Sequence, residues 1–150
     1  MHIHDANNNR IESQDTLQML GFVFNSNGDV SDQLELLKAK FRVRIWKLRE
    51  LKRHDFTEKE LLKVYTTMIR PVIEYSSVIH HSMLISEQCC DLEKLQARAL
   101  KKIFGYIYSY RKLLEMSNLE TLEERRVQAC LKFATKTCSN PRFASWFPKK

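Results

Sequence analysis

Apolar residues form one short run near the start of the chain and recur at helical spacing through the rest of it. The run from Leu17 to Phe24 reads LQMLGFVF, and turn-forming residues follow at positions 25–28. This pattern predicts a buried strand that ends in a turn. Residues 1–16 allow one or two further weak strands. From about Ser31 onward, apolar residues recur every three or four positions, which predicts helices.

The first predicted helix extends from Ser31, as its N-cap, to about His54. Its expected core face carries apolar residues at i, i+3 and i+4 spacing, namely Leu34, Leu37, Phe41, Ile45 and Leu48. At about 100° per residue, a second apolar stripe lies on roughly the opposite side. Its members are Leu36, Ala39, Val43 and Trp46. Two apolar stripes predict a helix that is covered on two sides.

A capping box at Thr57–Glu60 begins the next predicted helix. Its expected inward face comprises Leu61, Tyr65, Met68, Val72, Ser76 and Ile79. Pro71 falls inside this pattern, and a proline lacks the amide hydrogen and clashes with the preceding turn. We therefore expect a kink or a break at Pro71.

Three further helices are predicted in the second half of the chain. One extends from Ser86, as its N-cap, through Phe104 and stops at Gly105. Residues 110–116 suggest a short helix, and a second capping box at 121–124 begins a helix that ends near Cys138. The predicted fold class is therefore mainly α, a bundle of about five helices preceded by a short β element.

Composition narrows the class of protein without naming a function. A chain of 150 residues with 43% apolar residues, three Gly and three Pro fits one folded domain and argues against disorder. The apolar runs are shorter than the ~18 to 20 residues that cross a bilayer, and the start has no signal-peptide pattern. We expect an intracellular protein with reduced thiols at Cys89, Cys90, Cys130 and Cys138.

The net charge of +7 permits a polyanionic partner, and the positions of the cations refine this interpretation. Between Lys38 and Arg53 there are eight basic residues and one acidic residue, Glu50. The first basic row is a narrow stripe of the predicted helix formed by Lys38, Arg42, Arg49 and Arg53. The second basic row is formed by Lys40, Arg44 and Lys47. A later helix carries a third set, which we call the third basic group, formed by Lys94, Arg98, Lys101 and Lys102.

Such rows have the geometry to follow a line of phosphates, although solvated faces are the usual place for Lys and Arg in helices. Aromatic residues can stack on bases or sugars, but at helical spacing they more often belong to the core. We expect core positions for Trp46, Tyr65 and Tyr75. Tyr106, Tyr108 and Tyr110 lie in a presumed connection, and both interpretations stay open for them.

Other site chemistry finds little support in the sequence. His80 and His81 with Cys89 and Cys90 lack the ordered ligand spacing of a structural zinc site. No nucleophile elbow supports a Ser, His and acid triad. The chain contains no adjacent Asp-Asp pair. We therefore predict no catalytic residue, no metal site and no cofactor in this chain.

Residues 64–105 carry an ordered series of short motifs. The series consists of Tyr65, Ile69 to Pro71, Glu74 and Tyr75, then Leu92, Glu93, Gln96, Ala99, Leu100, Ile103 and Gly105. It resembles the segment after the catalytic palm in reverse transcriptases of non-LTR (LINE-type) retrotransposons. Residues 20–22 resemble the last palm strand of these enzymes, and residues 140–148 resemble the ending of related elements. His80 departs from the pattern, because many relatives place Trp there.

The resemblance implies residual palm strands in residues 1–30, a helical thumb-like domain in 31–139 and a C-terminal tail in 140–150. A thumb grips the template and primer, so the implied partner is RNA or an RNA/DNA duplex bound through its phosphate backbone. The family's catalytic Asp-Asp motif and its Mg²⁺ belong to the palm, upstream of this chain. The implied function is therefore non-catalytic nucleic-acid binding, without polymerase activity of the chain alone.

Two alternatives remain at this point. The chain could be a helical protein-interaction module that docks on the missing palm or on another partner, as the Trp46 side of the first helix suggests. It could also be an inactive relic reading frame, because Met1 lies close to palm-like strands. Both the nucleus and the cytoplasm fit an intracellular product of this kind, and no membrane partner is expected.

Overall fold

The computed structural model describes residues 3–4, 10–11, 14–143 and 146. The strands are β1 Ile3–His4, β2 Arg10–Ile11, β3 Thr16–Met19 and β4 Phe22–Asn25. The helices are α1 Ser31–Arg53, α2 Glu58–Val64, α3 Arg70–Glu74, α4 Ser77–His80, α5 Ser86–Phe104, α6 Tyr110–Ser117 and α7 Leu122–Cys138. A π-helical turn, Tyr65–Ile69, joins α2 to α3, and a 3₁₀ turn, His81–Met83, follows α4. The mainly α fold with a short β element is confirmed.

The run LQMLGFVF is a hairpin, so its prediction as one buried strand is wrong. β3 and β4 pair antiparallel, with Met19 opposite Phe22, and β1 pairs with β2 in a separate ladder. Leu20 and Gly21 both have positive φ, 50° and 78°, and such a pair reverses the chain in two residues. Of this run, Phe22 is buried, whereas Leu17, Met19 and Leu20 are exposed.

Helix α1 packs on the rest of the protein with one face. The predicted core residues Leu34, Leu37, Phe41, Ile45 and Leu48 are all buried. The predicted cover over the second stripe is wrong, because Val43 is 62% and Trp46 58% exposed. β4, α2, α3 and α5 all pack against α1. Since these neighbours meet its buried face, the side that carries Trp46 remains open.

The helical path continues through Pro71, which is the second residue of α3. The π-helical turn precedes it and has more residues per turn than an α-helix. Buried positions therefore recur every four residues, at Leu61, Tyr65, Ile69 and Ile73. The predicted face is wrong after Tyr65, and Met68 and Ile79 are exposed. The helical path is interrupted at Ser76, which has a φ of 55°, and not at Pro71.

The predicted helix ends are correct where side chains form reciprocal caps. Both capping boxes are present, at Thr57 with Glu60 and at Thr121 with Glu124. The predicted N-caps Ser31 and Ser86 are wrong, because each is the first helical residue and the caps are Val30 and Ile85. Gly105, with a φ of 107°, ends α5 as predicted. Within the predicted tail, residues 144, 145 and 147–150 lie outside the described part.

Three motif residues of 64–105, namely Tyr65, Glu93 and Gln96, belong to a hydrogen-bonded network beneath the surface. The Tyr65 hydroxyl donates to Gln96 Oε1 at 2.8 Å, and Gln96 Nε2 donates to Tyr110 Oη at 3.0 Å and to the Glu120 carbonyl at 2.9 Å. The Tyr110 hydroxyl donates to Glu93. Burial raises the pKa of both tyrosines, so both hydroxyls remain protonated donors. The network joins α5 to α6, to the loop before α7 and to the π-helical turn.

Two contacts of α3 tie it to distant parts of the chain. Arg125 of α7 makes a bidentate ion pair with Glu74, with Nη2 at 3.2 Å from Oε2. The Tyr75 hydroxyl donates to the Leu20 carbonyl in the hairpin turn. The predicted core position of Tyr75 is wrong, because its ring is 48% exposed. Glu74 and Tyr75 thus hold the hairpin and the last helix in place.

His80, the position at which the resemblance is broken, is fully buried at 0% exposure. Its ring stacks on Phe22 with a centroid distance of 6.4 Å, and neither ring nitrogen has a hydrogen-bond partner. Arg126 is buried as well, with 2% exposure. Burial lowers the pKa of His80 to about 4, and the Arg126 and His81 charges lower it further. The imidazole is therefore neutral in the folded protein at pH 7.

Acidification should destabilise the fold through His80. The unfolded chain binds this proton at its usual pKa of 6.5, whereas the folded protein binds it only near pH 4. The contribution of neutral His80 to the free energy of unfolding is therefore fully present above pH 6.5. It is lost as the pH falls from 6.5 to about 4, by about 3 kcal/mol in total. Urea unfolding at pH 7, 6 and 5 measures the loss. His80→Leu should flatten the profile, and the exposed-site control His54→Gln should keep it; equal profiles for all three would refute this assignment.

Candidate nucleic-acid interface

The two basic rows lie on opposite flanks of α1. At about 100° per residue, each row is centred roughly 90° from the buried face of the helix. The exposed apolar residues Ala39, Val43 and Trp46 lie between the rows on the outer side, and we call them the outer ridge. No single line of phosphates can contact both rows, because they point in opposite directions. The rows therefore belong to two different surfaces.

The first basic row meets the third basic group, which lies on α5. Lys38 Nζ lies 3.2 Å from Asp91 Oδ2, and Lys52 Nζ donates to the carbonyl oxygens of Lys102 at 3.0 Å and Ile103 at 2.6 Å. These contacts hold α1 against α5 near both ends of that helix. Between the helices lies a cleft of about 450 Å³, which we call the basic cleft. Its lining residues are Arg49, Lys52, Arg53, Lys101, Lys102, Gly105 and Tyr106.

Some of the predicted cations are already engaged by carboxylates. Lys38 pairs with Glu35 and Asp91, Lys94 pairs with Asp91, and Arg53 pairs with Glu50. Hydrogen bonds from Lys94 and Lys38 lower the pKa of Asp91, so this carboxylate stays ionised. Lys38 is mostly covered and ties α1 to α5, which makes it a poor phosphate ligand.

The other predicted cations remain available. Within residues 14–143 and 146, the structure gives them no acidic partner within 4.0 Å. They are Lys40, Arg42, Arg44, Lys47, Arg49, Arg98, Lys101 and Lys102. Arg49, Lys101 and Lys102 converge on the basic cleft. The cleft is thus a concentrated positive surface with little internal compensation.

The second basic row faces a different environment. Lys40 and Arg44 border a groove on the α3 side of α1, where the other lining residues are largely apolar. Lys47 is exposed beyond the end of that groove. The sequence grouped these residues with the phosphate-binding candidates, but the structure does not bring them to the basic cleft.

Two exposed aromatic residues accompany the cations. Tyr106 is 66% exposed at the mouth of the basic cleft, and its hydroxyl accepts a 3.4 Å hydrogen bond from Lys102 Nζ. Trp46 belongs to the outer ridge, so its predicted core position is wrong. Tyr65 is buried as predicted, Tyr108 packs against the core, and Tyr110 belongs to the buried network. The sequence signal for Trp46 was available, because cations flank it on both sides.

The His and Cys residues considered for a metal site do not come together in the described residues. His80 is buried away from the surface, and Cys89, Cys90, Cys130 and Cys138 are free thiols. Across the described ranges, no group of three or more His, Cys, Asp or Glu residues is placed to hold a metal ion. A helix with the length and apolarity needed to span a bilayer is likewise missing from those ranges.

Comparison with protein-family models, with curated proteins and with solved structures gives no match to this chain.

Proposed function

We propose that the chain binds RNA or an RNA/DNA duplex through the phosphate backbone, as the non-catalytic thumb-like part of a non-LTR retrotransposon reverse transcriptase. The observation that carries this proposal is the basic cleft. Arg49, Lys101 and Lys102 come from segments about fifty residues apart and converge there, with no carboxylate partner among the described residues. Uncompensated cations in one cleft favour a polyanionic ligand.

The dimensions of the first basic row suit a backbone contact. From Arg42 to Arg53, α1 extends about 16 Å, which corresponds to roughly five steps of 3.4 Å along one nucleic-acid strand. Arg42 and Arg49 can each bind a phosphate in bidentate fashion. The exposed ring of Tyr106 at the cleft suits stacking on a sugar or an unpaired base. Contacts of this kind do not depend on base sequence, as sequence-independent gripping of a template and primer requires.

The experiment is equilibrium binding of an RNA/DNA duplex by the folded chain across a salt series. Neutralisation of about five phosphates gives a log-log slope between about −4 and −5, since each contact releases close to one counterion. Circular dichroism should verify the helical fold at every salt concentration. Absent or salt-independent binding by the folded chain would contradict the proposal.

A second candidate function is docking on a palm-like domain or another protein. The observation that favours it is the outer ridge, where Val43 and Trp46 expose most of their apolar surface. Exposed apolar surface of this kind often marks an interaction site. Sedimentation analysis with an apolar dye tests it. Self-association that Trp46→Lys removes would support this function, and a monomer that binds no dye would count against it.

A further inference from the structure

A second groove lies between α1, the π-helical turn and α3, and we call it the α1–α3 groove. It measures about 380 Å³, and its lining residues are Gly21, Leu37, Lys40, Arg44, Met68, Pro71, Val72 and Tyr75. The hairpin turn closes one end, where a Cβ on Gly21 would lie only 3.2 Å from the Tyr75 hydroxyl oxygen. The Tyr75 hydroxyl also donates to the Leu20 carbonyl. The groove is therefore formed by fixed contacts between distant segments.

The floor of this groove is apolar and open. Met68 is 65% and Tyr75 48% exposed, and Pro71 and Val72 complete the same side. When a partner binds, the apolar surface of these side chains is buried away from water. Burial of apolar surface is the main source of affinity in such grooves. Met68 is flexible and polarisable, so it can adapt to the shape of an apolar anchor.

The rim of the groove carries positive charge only. Lys40 and Arg44 have no carboxylate partner in the described residues, and no acidic residue lines the groove. Arg44 Nη1 donates to the Lys40 carbonyl at 3.5 Å. The two cations are four residues apart on α1, so they lie on one side of the helix about 6 Å from each other. This spacing matches two carboxylates one turn apart on a partner helix.

We propose that the α1–α3 groove binds an acidic amphipathic segment of a partner protein. Bulky apolar side chains of the partner rest on Met68, Val72 and Tyr75, and its Asp or Glu residues pair with Lys40 and Arg44. A nucleic acid fits this groove less well. Met68, Pro71 and Val72 offer no side-chain donor or acceptor to base edges, and the Tyr75 hydroxyl already donates to the hairpin.

Selection of random peptides displayed on phage against the immobilised folded chain tests the proposal. We expect the enriched peptides to combine bulky apolar residues at i and i+3 or i+4 with Asp or Glu. Met68→Glu, and separately the pair Lys40→Glu with Arg44→Glu, should each weaken a selected peptide at least about tenfold. A copy of that peptide with Lys in place of its acids should regain binding to the double variant.

The matched control changes the same charge outside the groove. Arg42→Glu with Arg49→Glu, in the first basic row, should leave peptide binding unchanged while it weakens duplex binding. Three results would overturn the proposal: no enriched peptide, enriched peptides that bind Met68→Glu as well as the wild-type chain, or an oligonucleotide that displaces the peptide and protects Met68 from oxidation. The first two results do not bear on duplex binding at the basic cleft, so this proposal and the proposed function can fail separately.

Discussion

Replacement of Arg42, Arg49, Lys101 and Lys102 by Gln should lower the affinity for an RNA/DNA duplex roughly a thousandfold at 0.1 M salt. Each phosphate contact contributes about 0.9 decade of affinity for every tenfold decrease in salt concentration. Between about 1 M, where the electrostatic contribution is small, and 0.1 M, four contacts therefore contribute between about three and four decades of affinity. These side chains are not fully buried and have no acidic partner in the described residues. Their neutralisation should therefore leave the fold intact.

The control variant neutralises the same number of cations elsewhere. Lys59, Arg111, Lys132 and Lys136 are exposed on α2, α6 and α7, and their replacement by Gln changes the net charge by the same amount. This variant should bind within about threefold of the wild-type chain if the contacts are local. Fluorescence anisotropy measures both affinities. An equal loss in the two variants would show that net charge alone, and not the basic cleft, attracts the duplex.

Gln96→Leu should cost about 1 to 3 kcal/mol of unfolding free energy. Leucine fills a similar volume but leaves the buried Tyr65 hydroxyl without its acceptor, whereas water can replace the lost bonds at the half-buried Tyr110 hydroxyl and at the Glu120 carbonyl. Each buried polar group that loses its partner costs about 1 to 3 kcal/mol. Urea unfolding followed by circular dichroism measures the change.

A matched variant separates this network from the general effect of removing an amide. Gln128 donates to Glu120 Oε1 at 2.8 Å on the surface of α7. Gln128→Leu should change the unfolding free energy by less than about 0.5 kcal/mol, because water replaces the lost bond. If Gln96→Leu is equally mild, the motif residues of 64–105 do not form a structural network.

The helices could be predicted because their signals are local. A capping box needs only Thr and Glu three residues apart, and Leu34, Phe41 and Ile45 lie on one face whatever packs against it. The hairpin and the π-helical turn could not be predicted in this way. The LQMLGFVF run is apolar on both faces, and its reversal depends on Leu20 accepting a positive φ next to Gly21. Periodicity likewise identifies an apolar stripe without telling whether a neighbour covers it, as Trp46 illustrates.

The sequence predicts which basic residues belong to the candidate site, but it predicts only part of their arrangement in space. The spacing of Arg42, Arg49 and Arg53 places them on one stripe of α1 from the sequence alone. Their convergence with Lys101 and Lys102 depends on how α1 crosses α5, which no local pattern encodes. The pairing of Lys38 and Lys94 with the shared Asp91 also appears only after the helices pack, and it removes both lysines from the set of free cations.

The decisive quantity for phosphate contact by α1 and α5 is the salt dependence of duplex binding in three proteins: the wild-type chain, the four-Gln variant of Arg42, Arg49, Lys101 and Lys102, and its matched control. We expect a slope between about −4 and −5 for the wild-type chain and the control, and a slope near −1 for the four-Gln variant. Three equal slopes would contradict the proposed function, because the cations of α1 and α5 would then make no local contact with phosphate.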